Sequence, residues 1–174
     1  DRITEGYGIN KRIIDSIYNS GINYIITCDN GIAAYDEVAY AKSLGIEVII
    51  TDHHEIPYNE TEGNREYIIP PADAVCNPKQ PDCEYPYKGL CGGGVAYKLI
   101  TCLFEKLHIN DVVTQDILLQ YAAIATVADV MELTGENRII VKEGLKRLSN
   151  DGDRTTCGLK AIKKVNDLMN KQIG

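Results

Sequence analysis

Acidic residues and histidines occur in the sequence where two predicted strands end. Asp29 follows the apolar run 23–27, and Asp52-His53-His54 follow the run 46–50. The two aspartates lie 23 residues apart, which fits one helical crossover between neighbouring parallel strands. Because ligands bind at the carboxyl ends of such strands, carboxylate and imidazole groups are expected to converge there. Oxygen donors mixed with a neutral imidazole suit Mn²⁺, with Mg²⁺ also usable.

Each of these residues also has a purely structural interpretation. Asp29 stands before Asn30-Gly31, and an aspartate at this place is typical of a turn. The histidines are harder to explain in that way, because the chain has only three of them and His53 and His54 are adjacent behind Asp52 at the predicted strand end. We therefore interpret the Asp-His-His segment as functional and leave both interpretations of Asp29 open.

Two further segments carry candidate site residues. Asp129 ends a largely apolar predicted helix, where a carboxylate meets the negative end of the helix dipole and a cation would stabilise it. Gly92-Gly93-Gly94 precede another predicted helix. Their backbone N–H groups could bind a phosphate, but a glycine run is equally suited to a flexible hinge.

The elements that must position these residues alternate in the first half of the chain. Asn10 is a predicted cap for a helix that ends before Gly21, a strand follows at 23–27, and a helix at 33–44 leads to a strand at 46–50. The apolar runs lack polar alternation, which indicates parallel strands covered on both faces. A proline-containing loop, a short strand at 72–76 and an irregular stretch at 77–90 complete this half.

The second half is predicted to be helical. Four helices are expected, near 95–108, 112–127, 139–148 and 158–169. The sequence therefore predicts an α/β fold, with a parallel sheet and flanking helices in the first part and a mostly helical second part.

Composition excludes several classes of protein. Hydrophobic residues make up 44% and charged residues 25% of the 174 residues, which indicates a folded chain. The apolar stretches are shorter than the roughly 18 residues that a membrane span needs. A net charge of −7 argues against nucleic-acid binding by the whole surface but permits a local basic groove. Six scattered cysteines are expected to be free thiols in a cytoplasmic protein.

The ordered motifs resemble a known family. Asp52-His53-His54, between Thr51 and Glu55-Ile56-Pro57, resembles the signature of the DHH phosphoesterase superfamily, and the chain as a whole is similar to the RecJ-type single-strand-specific exonucleases. The segments that carry the second resemblance occur in the same order along the chain, at 2–8, 28–32, 77–78, 90–99, 126–130 and 133–138.

The resemblance implies a Rossmann-like DHH domain that hydrolyses phosphodiesters with two metal ions. Asp29 would bridge both ions, and His53 and Asp129 would complete the coordination of one of them. His54 would face the scissile phosphate, and Asp52 would support the histidines.

The resemblance also implies phosphate contacts and a substrate. Arg138 and the entrance of the helix at Gly92, Gly93 and Gly94 would contact phosphate. The implied activity is 5′ to 3′ hydrolysis of single-stranded DNA in repair and recombination, with a helicase or a single-strand-binding protein as a possible partner.

One expected motif is not present in the sequence. The family's acidic Asp-x-Asp-x-Asp-Gly motif would lie upstream of Arg2, and the downstream DHHA1 and oligonucleotide-binding domains are also absent. Residues 1–174 are thus expected to be a partial DHH catalytic domain, inactive by itself. Its βαβ part at 1–77 carries Asp29 and the Asp-His-His motif, and its mainly helical part at 78–174 carries Asp129.

Two other functions remain open at this point. One is a DHH phosphoesterase that acts on short oligonucleotides, cyclic dinucleotides or polyphosphate. The other is a metal-free binding relative, against which the joint presence of Asp29, His53, His54 and Asp129 argues.

Overall fold

A computed structural model describes residues 8–149, 155–168, 171 and 173 of the chain. Of the segment 2–8, only Gly8 therefore lies within the described residues. The chain divides into two compact units, Asp1–Lys88 and Gly89–Gly174. In chain order the elements are α1 Lys11–Asn19, β1 Tyr24–Cys28, α2 Tyr35–Ser43, β2 Glu47–Thr51, β3 Tyr58–Thr61, β4 Asn64–Tyr67, β5 Ala74–Cys76, α3 Gly92–Lys106, α4 Val112–Ala128, α5 Gly135–Ser149 and α6 Cys157–Val165.

The first unit contains the parallel sheet that the sequence predicts. Its strand order is β1-β2-β5, and both pairings are parallel. Asn10 caps α1 as predicted, because its Oδ1 accepts the Ile13 N–H at 3.0 Å. The core of this unit consists of buried side chains from α1, α2, β2 and the residue before β2, namely Ile14, Val38, Ala41, Ile46, Val48 and Ile50. The predicted α/β fold with its helical continuation is confirmed.

One face of β1 differs from the prediction. The strand was expected to be covered on both faces, but Tyr24 and Ile26 are 63% and 67% exposed. The expectation was wrong because the described residues cover only one face of β1, on which Ile25 is half-buried and Thr27 is buried. An apolar run without polar alternation thus does not guarantee cover on both faces.

Residues 58–67 form a β-hairpin, whereas the sequence predicted a loop in this region. Strands β3 and β4 pair antiparallel through a turn at Glu62-Gly63, in which both residues have positive φ, 52° and 80°. All eight strand residues are exposed. The Tyr58 and Tyr67 rings meet edge to face with centroids 5.8 Å apart, and the Arg65 guanidinium lies 4.4 Å from the Tyr58 centroid. Ring contacts stabilise this hairpin, in which no residue reaches the core.

The second unit is helical, with small differences in the helix ends. Helix α3 begins at Gly92 rather than at 95, α5 begins at Gly135, and α6 ends at Val165, whereas the expected end at Met169 lies outside the described residues. Within the described part of the chain, no helix combines the length and the apolar character that a membrane crossing requires.

Glycines set the distance between the helices of this unit. A Cβ on Gly144 of α5 would lie 2.4 Å from the Ala123 Cβ and 2.6 Å from the Leu119 carbonyl oxygen, both on α4. A Cβ on Gly93 of α3 would lie 2.6 Å from the Ala125 Cβ. Helix α4 therefore approaches both of its neighbours at distances that only glycine permits.

Candidate metal centre

Asp29 occupies a strained turn at the carboxyl end of β1. Its φ is 62°, and its N–H donates to the Thr51 carbonyl at 3.0 Å, continuing the pairing of β1 with β2. Left-handed backbone is uncommon for residues other than glycine, although aspartate tolerates it better than most. Two residues later, a Cβ on Gly31 would meet the Thr27 Oγ1 at 2.9 Å. Asp29 is therefore a turn residue, and the turn places its carboxylate at the edge of the sheet.

His53 lies beside Asp29 across the two strand ends. Its side chain is 8% exposed, and its Nε2 lies 3.0 Å from the Asp29 Oδ1. This contact brings together the two residues whose convergence the spacing of the motifs predicted. A carboxylate oxygen and an imidazole nitrogen at this distance form a donor pair that a divalent ion can share.

Asp52 is the buried support of the two histidines. It is 1% exposed, and its carboxylate accepts the N–H groups of Ile32 at 2.9 Å, His53 at 2.8 Å and His54 at 3.2 Å. Burial acts to raise the pKa of this carboxyl, but these bonds, together with the bond from the His54 ring, outweigh it and lower the pKa of Asp52 below its ordinary value. The carboxylate is thus held ionised behind the histidines.

The His54 ring is oriented by the same carboxylate. Its Nδ1 lies 2.7 Å from the Asp52 Oδ1, and its side chain is 52% exposed. Since an ionised carboxylate can only accept, Nδ1 carries the proton and Nε2 presents its lone pair when the ring is neutral. The His54 carbonyl also accepts the Asn77 side-chain N–H at 3.0 Å. The first bond orients a ring that is open to solvent, and the second holds the backbone of the same residue.

Together these side chains form a site that fits a divalent ion. Ligand atoms of Asp29, His53 and His54 all lie within 4.8 Å of one another. The mixed oxygen and nitrogen donors are those that Mn²⁺ accepts. The buried Asp52 carboxylate bonds the His54 ring, and such a supporting bond is usual for metal-binding histidines. The cluster brings His54 close to the two predicted ligands, so this ring is a candidate ligand as well as a candidate phosphate contact.

Asp129 lies in the second unit, at the end of α4. It is exposed, and its N–H donates to the Ala125 carbonyl at 2.9 Å. The next residue, Val130, has φ 55°, and the Met131 N–H returns to the Thr126 carbonyl at 3.2 Å, as in a Schellman motif. Glycine is usual at this position, so a β-branched residue makes the turn after Asp129 strained. The role of Asp129 as a ligand stays a prediction.

The three glycines Gly92, Gly93 and Gly94 form the first turn of α3. Gly92 and Gly94 are buried, and the Gly94 N–H donates to the Cys91 Sγ at 3.2 Å, so that Cys91 caps the helix. Gly93 packs against Ala125. The close approach of Ala125 accounts for a glycine at position 93, and phosphate binding by the three glycines stays a prediction.

Arg138 is exposed in the first turns of α5, and its predicted phosphate contact stays a prediction. The residue before it, Asn137, is fully buried and donates to the carbonyls of Gly89 and Glu132. Asn137 and Asn77 lie in segments that carry the family resemblance, 133–138 and 77–78, but no site role was predicted for either. Asn77 donates to His54 and stands, like Asp29, directly after a strand of the sheet. Its position directly after β5 is the sequence signal that could have marked Asn77 as a candidate site residue.

Comparison with known proteins shows to which family the chain belongs. The DHH family, N-terminal domain, matches residues 4–126, which is well over half of the chain. The chain belongs to the DHH family. The predicted resemblance is thereby confirmed, and the Asp-His-His segment of the site lies within the matched residues.

Curated relatives of this chain include RecJ exonucleases. The single-stranded-DNA-specific exonuclease RecJ of Bacillus subtilis (strain 168) is 47% identical over 148 residues, which are 85% of this chain and 17% of that protein. The RecJ of Escherichia coli (strain K12) is 36% identical over 174 residues, which are 95% of this chain and 28% of that protein. The chain therefore spans less than a third of the length of these relatives.

Solved structures of RecJ match this DHH chain as well. A crystal structure of exonuclease RecJ bound to manganese has a TM-score of 0.74 at 31% identity, and the match covers 98% of this chain and 40% of that one. The structure of RecJ from Thermus thermophilus in complex with Mn²⁺ has a TM-score of 0.70 at 29% identity, covering 95% of this chain and 22% of that one.

Proposed function

We propose that this chain is the core of the catalytic domain of a metal-dependent exonuclease that hydrolyses single-stranded DNA from the 5′ end. The observation that carries the proposal is the cluster of Asp29, His53 and His54 at the adjoining ends of β1 and β2. The similarity to RecJ exonucleases over 85–96% of the chain supports the substrate class. We further propose a cytoplasmic role in DNA repair and recombination, with a helicase or a single-strand-binding protein as partner.

Each side chain of the cluster has a distinct task in this proposal. Asp29 and His53, together with Asp129, hold Mn²⁺ or Mg²⁺, with two ions in the intact enzyme. When bound, the ions supply an activated water and neutralise charge on the phosphate. His54 presents Nε2 toward the scissile phosphate because Asp52 holds its Nδ1 at 2.7 Å. Gly92, Gly93, Gly94 and Arg138 are proposed to contact the phosphates of the strand.

The test uses the full-length protein with 5′-labelled single-stranded DNA and Mn²⁺. Asp29→Asn should abolish release of nucleotides without unfolding the protein, because asparagine tolerates the left-handed backbone of this turn as aspartate does. Removal of the ions with a chelator should have the same effect on the unchanged protein. Asp82→Asn, on an exposed loop of the same unit, is the matched control and should retain activity.

The substrate panel separates the competing functions. Full activity in Asp29→Asn would contradict the site assignment. Hydrolysis of dinucleotides or cyclic dinucleotides with little action on long single strands would favour the small-substrate phosphoesterase. Binding of single strands without any hydrolysis would favour the non-catalytic relative.

A further inference from the structure

Asn137 joins two segments of the second unit from a fully buried position on α5. Its Nδ2 donates to the Gly89 carbonyl at 2.7 Å and to the Glu132 carbonyl at 3.0 Å. Both partners are acceptors, so both must face the side-chain NH₂ group, whose two hydrogens serve one carbonyl each. The orientation of the amide is thus fixed by its partners.

The two carbonyls belong to segments that carry proposed site residues. Gly89 precedes the Gly92–Gly94 entrance of α3, and Glu132 lies three residues after Asp129. Asn137 therefore links the start of one candidate substrate contact to the loop that carries one candidate ligand.

Other contacts join the same two regions close by. The Cys91 Sγ lies 3.5 Å from the Thr126 Oγ1, and Gly93 packs against Ala125. These contacts hold the first turn of α3 to the last turns of α4. Asn137 adds bonds to the irregular backbone on either side of these turns, at Gly89 before α3 and at Glu132 after Asp129.

The Asn137 Oδ1 is the other half of the same amide. Among the residues that the structure describes, nothing donates to its Oδ1, although the atom is buried. A buried acceptor without a partner is unfavourable, and an apolar side chain would avoid that cost. The bonds from Nδ2 to the two segments are therefore the reason that the position suits asparagine.

We propose that Asn137 is a positioning residue, whose amide fixes the Asp129 loop against the segment that enters α3. The inference rests on the proposed function, since Asp129 acts as a ligand only there. Loss of the amide would let the loop move and would weaken metal binding and substrate binding together.

The experiment compares Asn137→Ser and Asn137→Ala with a core variant in the full-length protein. Mn²⁺ affinity is measured by calorimetry, and kcat and KM are measured with a 5′-labelled single-stranded oligonucleotide. Both variants should lose about 10-fold or more in Mn²⁺ affinity, the effect usual for a residue that orients a ligand, and should raise KM at saturating Mn²⁺. Val141→Ala is the control, because Val141 is buried on the same helix and is not bonded to either segment.

The outcomes separate this inference from the proposed function. If Val141→Ala lowers the melting temperature as much and loses Mn²⁺ affinity equally, Asn137 is merely structural and the inference is wrong. Unchanged affinity and KM in the Asn137 variants of an active protein would also overturn it. An unchanged protein that neither binds Mn²⁺ nor degrades DNA would instead overturn the proposed function.

A second measurement needs no variant. Hydrogen exchange in the unchanged protein should show residues 90–94 and 130–134 opening together, with one common protection factor. Independent exchange of the two segments would contradict the inference, even if the Asn137 variants failed to fold.

Discussion

Asp52 shows how one buried carboxylate organises the residues that face the ligand. It accepts four hydrogen bonds, from three N–H groups and the His54 ring. The three N–H bonds fix the turn after β2, and the bond from the His54 ring places the proton of the neutral imidazole on Nδ1. The sequence pointed to this site because Asp29 and Asp52 each directly follow an apolar run. The end of such a run marks the end of a strand, so both positions could be predicted from the order of the residues.

Replacement of Asp52 by asparagine should destabilise the fold. An amide cannot accept all four bonds, and loss of hydrogen bonds to a charged group costs about 1.5–3 kcal/mol. Because the folded pKa of Asp52 is lowered, its contribution is complete above the unfolded value of about 4 and is lost as the pH falls through the folded value. The difference in unfolding free energy between the unchanged chain and Asp52→Asn should therefore narrow below about pH 4, where the aspartate is protonated as well. Urea unfolding at several pH values measures this difference in unfolding free energy, with Asp82→Asn as the control variant. If the difference between the unchanged chain and Asp52→Asn does not depend on pH, the argument is wrong.

At the scale of elements, small residues decide how closely helices pack. Gly144 and Gly93 each face helix α4 at a distance that excludes a Cβ. The sequence could not reveal this, because a glycine that permits close packing and a glycine that binds phosphate look alike until the partner helix is known. The β3–β4 hairpin was missed for a related reason, since its residues are polar and none of them enters the core.

Gly144→Ala should destabilise the second unit. The new methyl group would meet the Ala123 Cβ at 2.4 Å and a backbone oxygen at 2.6 Å, and overpacking of this kind costs about 1–3 kcal/mol or more. Gly158→Ala, near the start of α6 with nothing within 4 Å, is the matched control and should gain up to about 1 kcal/mol through helix propensity. Thermal unfolding measures both, and equal melting temperatures would refute the packing argument.

Val130→Gly should stabilise the chain. Left-handed backbone costs residues other than glycine about 1–2 kcal/mol, and the Val130 side chain is 89% exposed, so little buried area is lost with it. We expect a net gain of about 1 kcal/mol after the added entropy of the unfolded glycine. Val165→Gly, at the end of α6 and 85% exposed, lacks a positive φ and should lose stability. A lower free energy of unfolding in Val130→Gly would contradict the prediction that the left-handed backbone of Val130 is strained.

At the scale of the whole molecule, strand β1 lies at an edge of the sheet that the described residues form. Its residues Tyr24–Cys28 carry no charged side chain, and within the described part of the chain only β2 pairs with it. Tyr24 and Ile26 expose most of their apolar area beside that edge.

The chain should therefore associate with itself through β1 when it is expressed alone. An unpaired strand edge with exposed apolar side chains promotes pairing between copies, and a lysine on such an edge prevents it. Sedimentation of the 174-residue chain should show a mass that rises with concentration, and Ile26→Lys should keep the chain monomeric over the same range. Ile162→Lys, at a 58% exposed position on α6, is the control for added charge and should associate as the unchanged chain does. If Ile26→Lys and Ile162→Lys associate equally, the contact between copies lies elsewhere than β1.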